Sequence, residues 1–579
     1  MTVRLRALSF GALVVGSVIA VDPAGLSPFG PSKWLVVSTG ATATVAWALR
    51  HGSTRCHRRT WWMWIALLAL LTLSALVNGD AKVALLGHPD RHLGVITFVL
   101  FFSLFCAGQQ LADQATALSR AGVVAAASLG GYIAWELAFG PPVSVAATTR
   151  RFLGPFGSAA FLGAACCLLG PLALGVAFDR TQDRRWRWFA AASSTLVAIA
   201  LVGSGTRAAW LATAVTAVLV AIAVRPGRHT VMWCTGGLLV AVVAVAPRLG
   251  DVTSRHESST SRIDEWRVAA RVIARHPVVG VGPEGYRIAF AEGVDDGYER
   301  AYRRDAVLPD RAHAAPLDVA LAGGAPAGVL NTTLVAFIGW RSWTLLRTRR
   351  PLAVGIGAAV IAYGLQQMLL FPLAELDPIW WLFAGVVVSL TSTVVEVPRR
   401  RTAAPILAAV TSVLVLVAGV LDVAADRLAR TALRATDHDV AVDAADRAVT
   451  LRPDNLRYRL VAAEARLDRG SITDIDRAIS EARRATQWSS KDPLAGDELA
   501  TALSSRAAAT GDHADVTTAL AQWQTLVDRD PHRAAWQLQL GRAAALAGDA
   551  ERARRAWTIA ASLGEPGAPP LLAALDASS

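Results

Sequence analysis

The run WWMWIALLALLTLSALV, residues 61–77, contains no charged side chain. A run of this length approaches the roughly 20 residues that a helix needs to cross the hydrocarbon core of a bilayer. Its tryptophans, Trp61, Trp62 and Trp64, gather at one end, where aromatic side chains prefer the membrane–water interface. The segment therefore predicts a transmembrane helix.

Twelve other apolar stretches repeat this pattern. Hydrophobic residues make up 53% of the chain and charged residues only 18%, which is less charge than soluble domains carry. The sequence thus predicts an all-α, polytopic membrane bundle of about 12–14 spans. The predicted spans are residues 7–22, 34–49, 61–77, 93–108, 119–138, 159–178, 188–203, 208–224, 231–247, 316–340, 352–371, 378–396 and 404–422.

Basic residues indicate the orientation. The net charge is +12, but the arginines lie in short clusters between apolar runs, which argues against nucleic-acid binding. Because clusters fall in every second connection, we expect these connections and the N-terminus in the cytoplasm and the C-terminal region outside, in a multi-pass protein of the cell membrane. The clusters lie at 50–59, 180–187, 225–228, 341–350 and 399–401.

This topology divides the chain into two predicted domains. Residues 1–424 form the membrane domain, with a large external loop at 248–315, and residues 425–579 form an extracytoplasmic domain. The latter is rich in alanine and has helical periodicity. Leu540, Gly541, Ala545, Gly548 and Trp557 resemble a tetratricopeptide unit, so we expect a helical-repeat tail that offers a surface for a protein partner.

Four arginines depart from the orientation rule. Arg91, Arg150, Arg151 and Arg207 fall in short connections assigned to the outside, where arginine is disfavoured. One explanation is that they reach lipid headgroups at the interface. The other is that they converge on an anionic ligand such as a diphosphate.

The external loop contains candidate chemistry. A helix is predicted from Arg262 to Ala274, and the glycines after Pro277 predict a sharp turn. The acidic residues at 292–299 lack the spacing of a calcium loop, so no metal site is expected. His313 follows Arg311 at the edge of a predicted span, where an imidazole can act as a general base and a guanidinium can bind phosphate.

Five segments together resemble the O-antigen ligase and polymerase (Wzy-like) superfamily, in particular members with a tetratricopeptide-like tail. Two sequence departures lie beside these motifs, because Ser158 and Ala314 stand where the family prefers asparagine. The segments are GHPDRHLG at 87–94, RFLGPFG at 151–157, SGTRA at 204–208, the start of the external loop at Arg262, and DRAH at 310–313.

The resemblance implies a C-type glycosyltransferase scaffold and an inverting, metal-independent transfer without a cofactor, in cell-envelope polysaccharide biosynthesis. The donor would be a glycan on a polyprenyl diphosphate, and the acceptor a glycan, lipid or protein. His313, Arg207 and Arg311 would be catalytic. The diphosphate would be bound by Arg91, Arg151, Arg207, Arg262 and Arg311.

Three alternatives stay open at this point. A ligase and a polymerase share the same donor chemistry. A flippase or transporter for lipid-linked sugars would place charges near the membrane midplane and show internal repeats, neither of which we find. A non-catalytic scaffold would recruit envelope enzymes through the helical tail.

Overall fold

The computed structural model describes residues 11–51, 55–78, 80–143, 151–246, 257–304, 308–396 and 404–578, and Arg150 lies outside them. The described residues are all-α apart from one antiparallel pair of two-residue strands, β1 (Arg55–Cys56) and β2 (Val395–Glu396). The N-terminal and membrane-domain helices are α1 (Gly16–Ile19), α2 (Pro31–His51), α3 (Arg58–Val77), α4 (Ala81–Leu86), α5 (Val95–Gln110), α6 (Ala115–Phe139), α7 (Ala159–Phe178), α8 (Arg184–Ser204), α9 (Arg207–Val224) and α10 (Arg228–Val245).

The segment predicted to be the external loop, for which we keep that name, contributes three helices, and three more helices follow it. The external helices are α11 (Glu257–Arg275), α12 (Tyr286–Gly293) and α13 (Asp296–Tyr302), and the later ones are α14 (Ala315–Leu346), α15 (Pro351–Gln367) and α16 (Asp377–Thr391). Helix α17 (Ala404–Arg434) then runs without interruption through the predicted domain boundary at 424.

Eight helices of the described chain are long and apolar enough to cross a membrane, and all eight coincide with predicted spans. They are α3, α7, α8, α9, α10, α14, α17 and α6 with the short turn before it. Helices α5, α15 and α16 are apolar but shorter. The predicted span 7–22 lies partly outside the described residues, and α2 covers the predicted span 34–49.

One predicted boundary is wrong in a way that matters below. The predicted span 352–371 ends earlier, because α15 stops at Gln367 and residues 368–376 form a connection. Pro372 explains the difference, since a proline lacks an amide hydrogen and disfavours a helical residue before it. Phe371 therefore lies outside the helix.

Helix α14 is broken near its start. Gly323 and Gly324 have non-helical backbone angles, and Gly324 has φ +81°. The loop after α11 enters this break, where Val281 N donates to Leu321 O at 2.7 Å and Ala325 N donates to Pro277 O at 2.8 Å. A side chain on Gly324 would collide with the backbone of Val278, so glycine is required there. The break fixes the external loop to the membrane helices.

The tail consists of short helices, each packed on the next. Most of them start at a side chain that accepts a hydrogen bond from the first turn, which is the usual N-cap arrangement. These caps are Asp437, Asn455, Ser471, Asp492, Asp512 and Asp549. The helices are α18 (His438–Leu451), α19 (Leu456–Arg469), α20 (Ile472–Trp488), α21 (Pro493–Thr510), α22 (His513–Arg529), α23 (Ala534–Leu546), α24 (Ala550–Ser562) and α25 (Ala568–Ser578).

The tail is fixed to the external loop by buried ion pairs. Arg304, only 3% exposed, bonds Glu299 and Asp530, with 2.6 Å from Nε to Glu299 and 2.6 Å from Nη1 to Asp530. Arg287 pairs with Asp492. Since breaking a buried pair leaves an uncompensated charge, these contacts hold the tail in one position on the loop.

Candidate active site

A cavity of 590 Å³ lies between the loops at 27–31 and 88–91 and the start of the tail. Its walls carry positively and negatively charged side chains together with several aromatic side chains. A cavity of this volume with convergent polar groups is typical of a ligand site. The charged side chains that line it are Lys33, Asp90, Arg91, Arg287, Asp310, Glu375, Asp422, Asp426 and Arg457.

Arg91 lies in the 87–94 loop between α4 and α5 and lines this cavity. Its Nε donates to Asp310 Oδ2 at 2.6 Å and its Nη2 to Oδ1 at 3.3 Å. Burial opposes both charges, but their attraction outweighs it, so the pKa of Asp310 falls and that of Arg91 rises. The pair is therefore fully ionised, and both side chains stay partly accessible, at 32% and 25%.

Arg311, the next residue after Asp310, is more deeply buried. Its Nη2 bonds Glu284, and the two side chains are 8% and 5% exposed. Glu284 also accepts a hydrogen bond from Leu93 N at 2.8 Å, which ties this pair to the loop that carries Arg91. Among the described residues, Nε of Arg311 is buried without a hydrogen-bond partner. Such a donor is costly unless a ligand or water satisfies it.

His313 is held in an unusual backbone conformation just before α14. Its φ is +55°, a region that non-glycine residues seldom occupy. The Asp318 carboxylate accepts hydrogen bonds from Ala312 N at 2.8 Å and Ala314 N at 3.2 Å, the amides on either side of the histidine. The imidazole Nδ1 lies 3.0 Å from Glu265 Oε2. The backbone and the ring are thus fixed separately.

One aromatic ring brings three predicted site residues together. The guanidinium carbons of Arg91 and Arg311 lie 4.9 and 6.0 Å from the centroid of the Phe371 ring. The His313 ring centroid is 5.4 Å from the same point. Cations over an aromatic face are attracted to it, and the ring separates the groups without neutralising them. We call Arg91, Arg311, His313 and Phe371 the Phe371 group.

Arg262 contacts the chain segment that carries Phe371. Its Nη1 donates to the carbonyl of Leu369 at 3.1 Å, two residues before Phe371. Burial lowers the pKa of the guanidinium, although Glu265 on the same helix opposes the shift. The structure thus gives Arg262 a contact with the segment that carries the ring.

Arg151 and Arg207 lie in a separate group. We call this group the Arg207 turn, and it consists of Arg151, Ser204, Thr206 and Arg207. Arg151 Nε donates to the Ser204 carbonyl at 2.6 Å and its Nη2 to Thr206 Oγ1 at 3.1 Å. Arg207 begins α9 immediately after this turn, and its side chain is exposed. Arg151 therefore positions the turn that presents Arg207.

The start of α7 lies between the two groups. Thr206 Oγ1 donates to the Ala159 carbonyl at 2.7 Å, while the Phe161 ring lies 5.6 Å from that of Phe371. The described contacts therefore place the predicted residues in two groups on either side of this helix end.

Sequence analysis missed several residues of the site. Glu265 had a weak signal, because it lies three residues after Arg262 on a predicted helix and so shares its face. Asp318 had another, since an acidic residue in the first turn of a helix often satisfies free amides. Phe371 was assigned to a span, although Pro372 indicated a helix end. Glu284 had no signal, because its pairing depends on tertiary structure.

The sequence comparison identifies the segment that carries most of this chemistry. Residues 192–332 match the family model for O-antigen ligase (Wzy_C). The predicted resemblance is confirmed over this segment. The ligase-like segment includes Arg207, Arg262, Glu265, Arg311 and His313, and it supports a membrane glycosyltransferase of polysaccharide biosynthesis.

Other comparisons contribute less. No curated protein matches the chain. Among solved structures, the crystal structure of the yeast Tom70 is similar over 83% of this chain and 96% of that chain, with 9% identity and a TM-score of 0.21. Because this TM-score is too low to support a fold assignment, the all-α architecture rests on the helices described above.

Proposed function

We propose that this protein transfers a glycan from a polyprenyl diphosphate carrier to an acceptor glycan, lipid or protein on the external side of the membrane. The observation that carries the proposal is the Phe371 group: two guanidinium groups and an imidazole within 6.0 Å of one ring centroid. The match of residues 192–332 to O-antigen ligases supports it.

The arginines would stabilise the leaving group. As the bond between the anomeric carbon and the diphosphate oxygen breaks, negative charge develops on the diphosphate, and fixed cations in a partly dry site stabilise it. Arg91 and Arg311 approach from two separate loops, and their carboxylate partners hold them in place before the donor binds. The buried Nε of Arg311 is an additional donor for a phosphate oxygen.

His313 would take the proton from the attacking hydroxyl. The acceptor oxygen forms a bond to the anomeric carbon while the diphosphate departs from the opposite face, which inverts the configuration. With Nδ1 on Glu265, Nε2 is the nitrogen left to receive the proton. The Glu265 carboxylate then stabilises the protonated ring, as an acidic partner does in other His-based sites.

In the proposal, the remaining arginines bind the diphosphate or position other residues of the site. Arg207 would bind the diphosphate from the other side of the α7 start, and Arg151 would hold its turn. Arg262 would keep Phe371 in position. No step requires a metal ion or a cofactor.

The orientation is part of the proposal. The arginine clusters between the predicted spans support a cytoplasmic N-terminus, with the Phe371 group and the tail in the extracytoplasmic space. The donor would then reach the site from the outer leaflet after its glycan has crossed the membrane.

The test is a transfer assay on purified full-length protein in proteoliposomes, with EDTA present. A polyprenyl diphosphate glycan is supplied, and release of the unloaded polyprenyl diphosphate is measured together with the glycan product. We expect equal amounts of both. Movement of the donor across the bilayer without release would indicate a transporter and would overturn the proposal, as would no release from donors carrying several different glycans.

A further inference from the structure

The cavity beside Arg91 is completed by the tail, and this has a consequence for the substrate. Residues from the end of α17 and the start of α19 form one of its walls. These residues are Asp422, Asp426, Asn455, Leu456, Arg457 and Tyr458. The tail is therefore part of the site rather than a separate appendage.

The contacts that hold this wall are specific. Asp426, 2% exposed, accepts a hydrogen bond from Ser27 N through Oδ2 at 2.9 Å, and Leu26 N donates to its carbonyl at 3.2 Å. Arg427 Nε binds Asp22 at 2.8 Å. The wall is thus fixed to the loop before α2, on the membrane domain.

Arg457 connects the same wall to the loop that carries Arg91. Its Nη1 donates to Asp90 Oδ1 at 3.2 Å and also bonds Ser27. Both bonds use one nitrogen, so Nε and Nη2 have no partner among the described residues. Asp426 Oδ1 accepts no hydrogen bond there either. The wall therefore keeps a donor group and an acceptor oxygen beside the cavity.

The charges determine what this wall can bind. Asp422 is paired with Arg452 Nη1 at 2.9 Å and Arg457 with Asp90, so among the described residues Asp426 is the carboxylate of this wall that is left to repel a second anion. Carboxylate oxygens accept hydrogen bonds from hydroxyl groups, and Phe29 and Phe156 add apolar area to the same cavity. Hydroxyls with apolar faces between them are the chemistry of a sugar ring.

The neighbouring loop contributes one more group. His88 lines the cavity and is 5% exposed, and its Nε2 has no partner among the described residues. Burial lowers the pKa of this imidazole, with Arg287 acting in the same direction, so the ring is neutral near pH 7. A neutral ring suits a hydroxyl partner better than an anion.

We propose that the tail wall is a glycan subsite that selects sugars without carboxylate groups and places them beside Arg91. The proposal rests on the proposed function, because it assigns the glycan-binding half of the same site. Asp426 and Arg457 are the residues that contact sugar hydroxyls.

Equilibrium binding to the full-length protein in detergent tests this. The probes are a panel of neutral, amino and uronic acid tetrasaccharides, and the variants are Asp426→Asn and Arg457→Ala. Arg483→Ala is the matched control, because it is an exposed arginine of the same tail. We expect neutral or amino sugars to bind at least tenfold more tightly than uronic ones, with at least a fivefold loss in both variants and none in the control.

The outcomes separate this subsite from the proposed function. Binding that does not change in either variant, equal binding of uronic sugars, or no binding by any probe would overturn the subsite. Release of polyprenyl diphosphate is measured on the same samples. Release with unaltered sugar binding in the variants refutes the subsite alone, whereas variant-sensitive binding without release refutes the transfer reaction alone.

Discussion

The Phe371 group and the Arg207 turn both carry predicted arginines, but they are built differently. In the Phe371 group, carboxylates from distant segments hold each basic side chain: Asp310 holds Arg91, Glu284 holds Arg311 and Glu265 holds His313. In the Arg207 turn, Arg151 donates to a backbone carbonyl and to a hydroxyl, and the arginine that the turn presents, Arg207, is exposed.

This difference indicates which of the two groups contains the reacting centre. A cation held by a carboxylate keeps its geometry without a ligand, and the aromatic ring brings such pairs close together. In the Arg207 turn, Arg151 holds the turn, and Arg207 itself is exposed at the start of α9. We therefore assign the reacting centre to the Phe371 group and a supporting position to the Arg207 turn.

The largest effect is expected from His313→Ala. Loss of a general base lowers kcat by about 10²–10⁴-fold, and we expect this in the transfer assay with little change in donor binding. His276→Ala is the control, because it removes a partly exposed histidine of the same loop, one that also pairs with a glutamate, Glu292. Full activity in His313→Ala would move the reacting centre away from the Phe371 group.

Arg91→Ala and Arg207→Ala compare the two groups directly. Removing one preorganised donor to a developing oxyanion costs about 10²–10³-fold in rate, and we expect that loss for Arg91→Ala. Arg207→Ala should lower the rate as well, chiefly by raising KM for the donor.

Arg275→Ala, an exposed arginine at the end of α11, is the control for both. A normal kcat/KM in Arg207→Ala would leave the Arg207 turn with a structural role only. A larger loss in Arg207→Ala than in Arg91→Ala would reverse the assignment.

Arg311→Ala is expected to affect stability as well as rate. It leaves Glu284 buried without its partner, and breaking a buried pair costs about 3–5 kcal/mol. Thermal unfolding in detergent should show a lower Tm, and the double variant Arg311→Ala/Glu284→Gln should recover part of it. An unchanged Tm in Arg311→Ala would contradict the buried pair.

The smallest effect is a pH dependence of the stability, caused by His88 in the 87–94 loop that carries Arg91. Burial lowers the pKa of His88 below 6.5 in the folded state, so the unfolded state takes up a proton first as the pH falls. Stability should therefore fall as the pH drops below 6.5, by at most about 1.4 kcal/mol per pH unit. His88→Gln should flatten this slope, whereas His438→Gln, at an exposed tail position, should leave it unchanged.

Much of the fold could be predicted because apolar runs are local signals, and the eight long apolar helices coincide with predicted spans. The same holds for the Arg207 turn, whose contacts join RFLGPFG to SGTRA, two motifs visible in the chain. The Phe371 group was only partly predictable. Arg91, Arg311 and His313 were identified by their motifs, but their carboxylate partners come from segments far away in sequence.

Two further features could not be read from the sequence for physical reasons. The break in α14 depends on close approach of the loop at 277–281, which a single glycine pair does not reveal. The contact of Asp426 with Ser27 joins residues 399 positions apart, so no local pattern indicates that the tail forms part of the cavity.

The most direct measurement of the central claim is phosphorus NMR of farnesyl diphosphate titrated into the full-length protein. We expect saturable binding that shifts both phosphorus signals, weakens at least tenfold in Arg91→Ala and does not change in Arg275→Ala. Binding of equal strength in Arg91→Ala and the unsubstituted protein would contradict a diphosphate site at the Phe371 group.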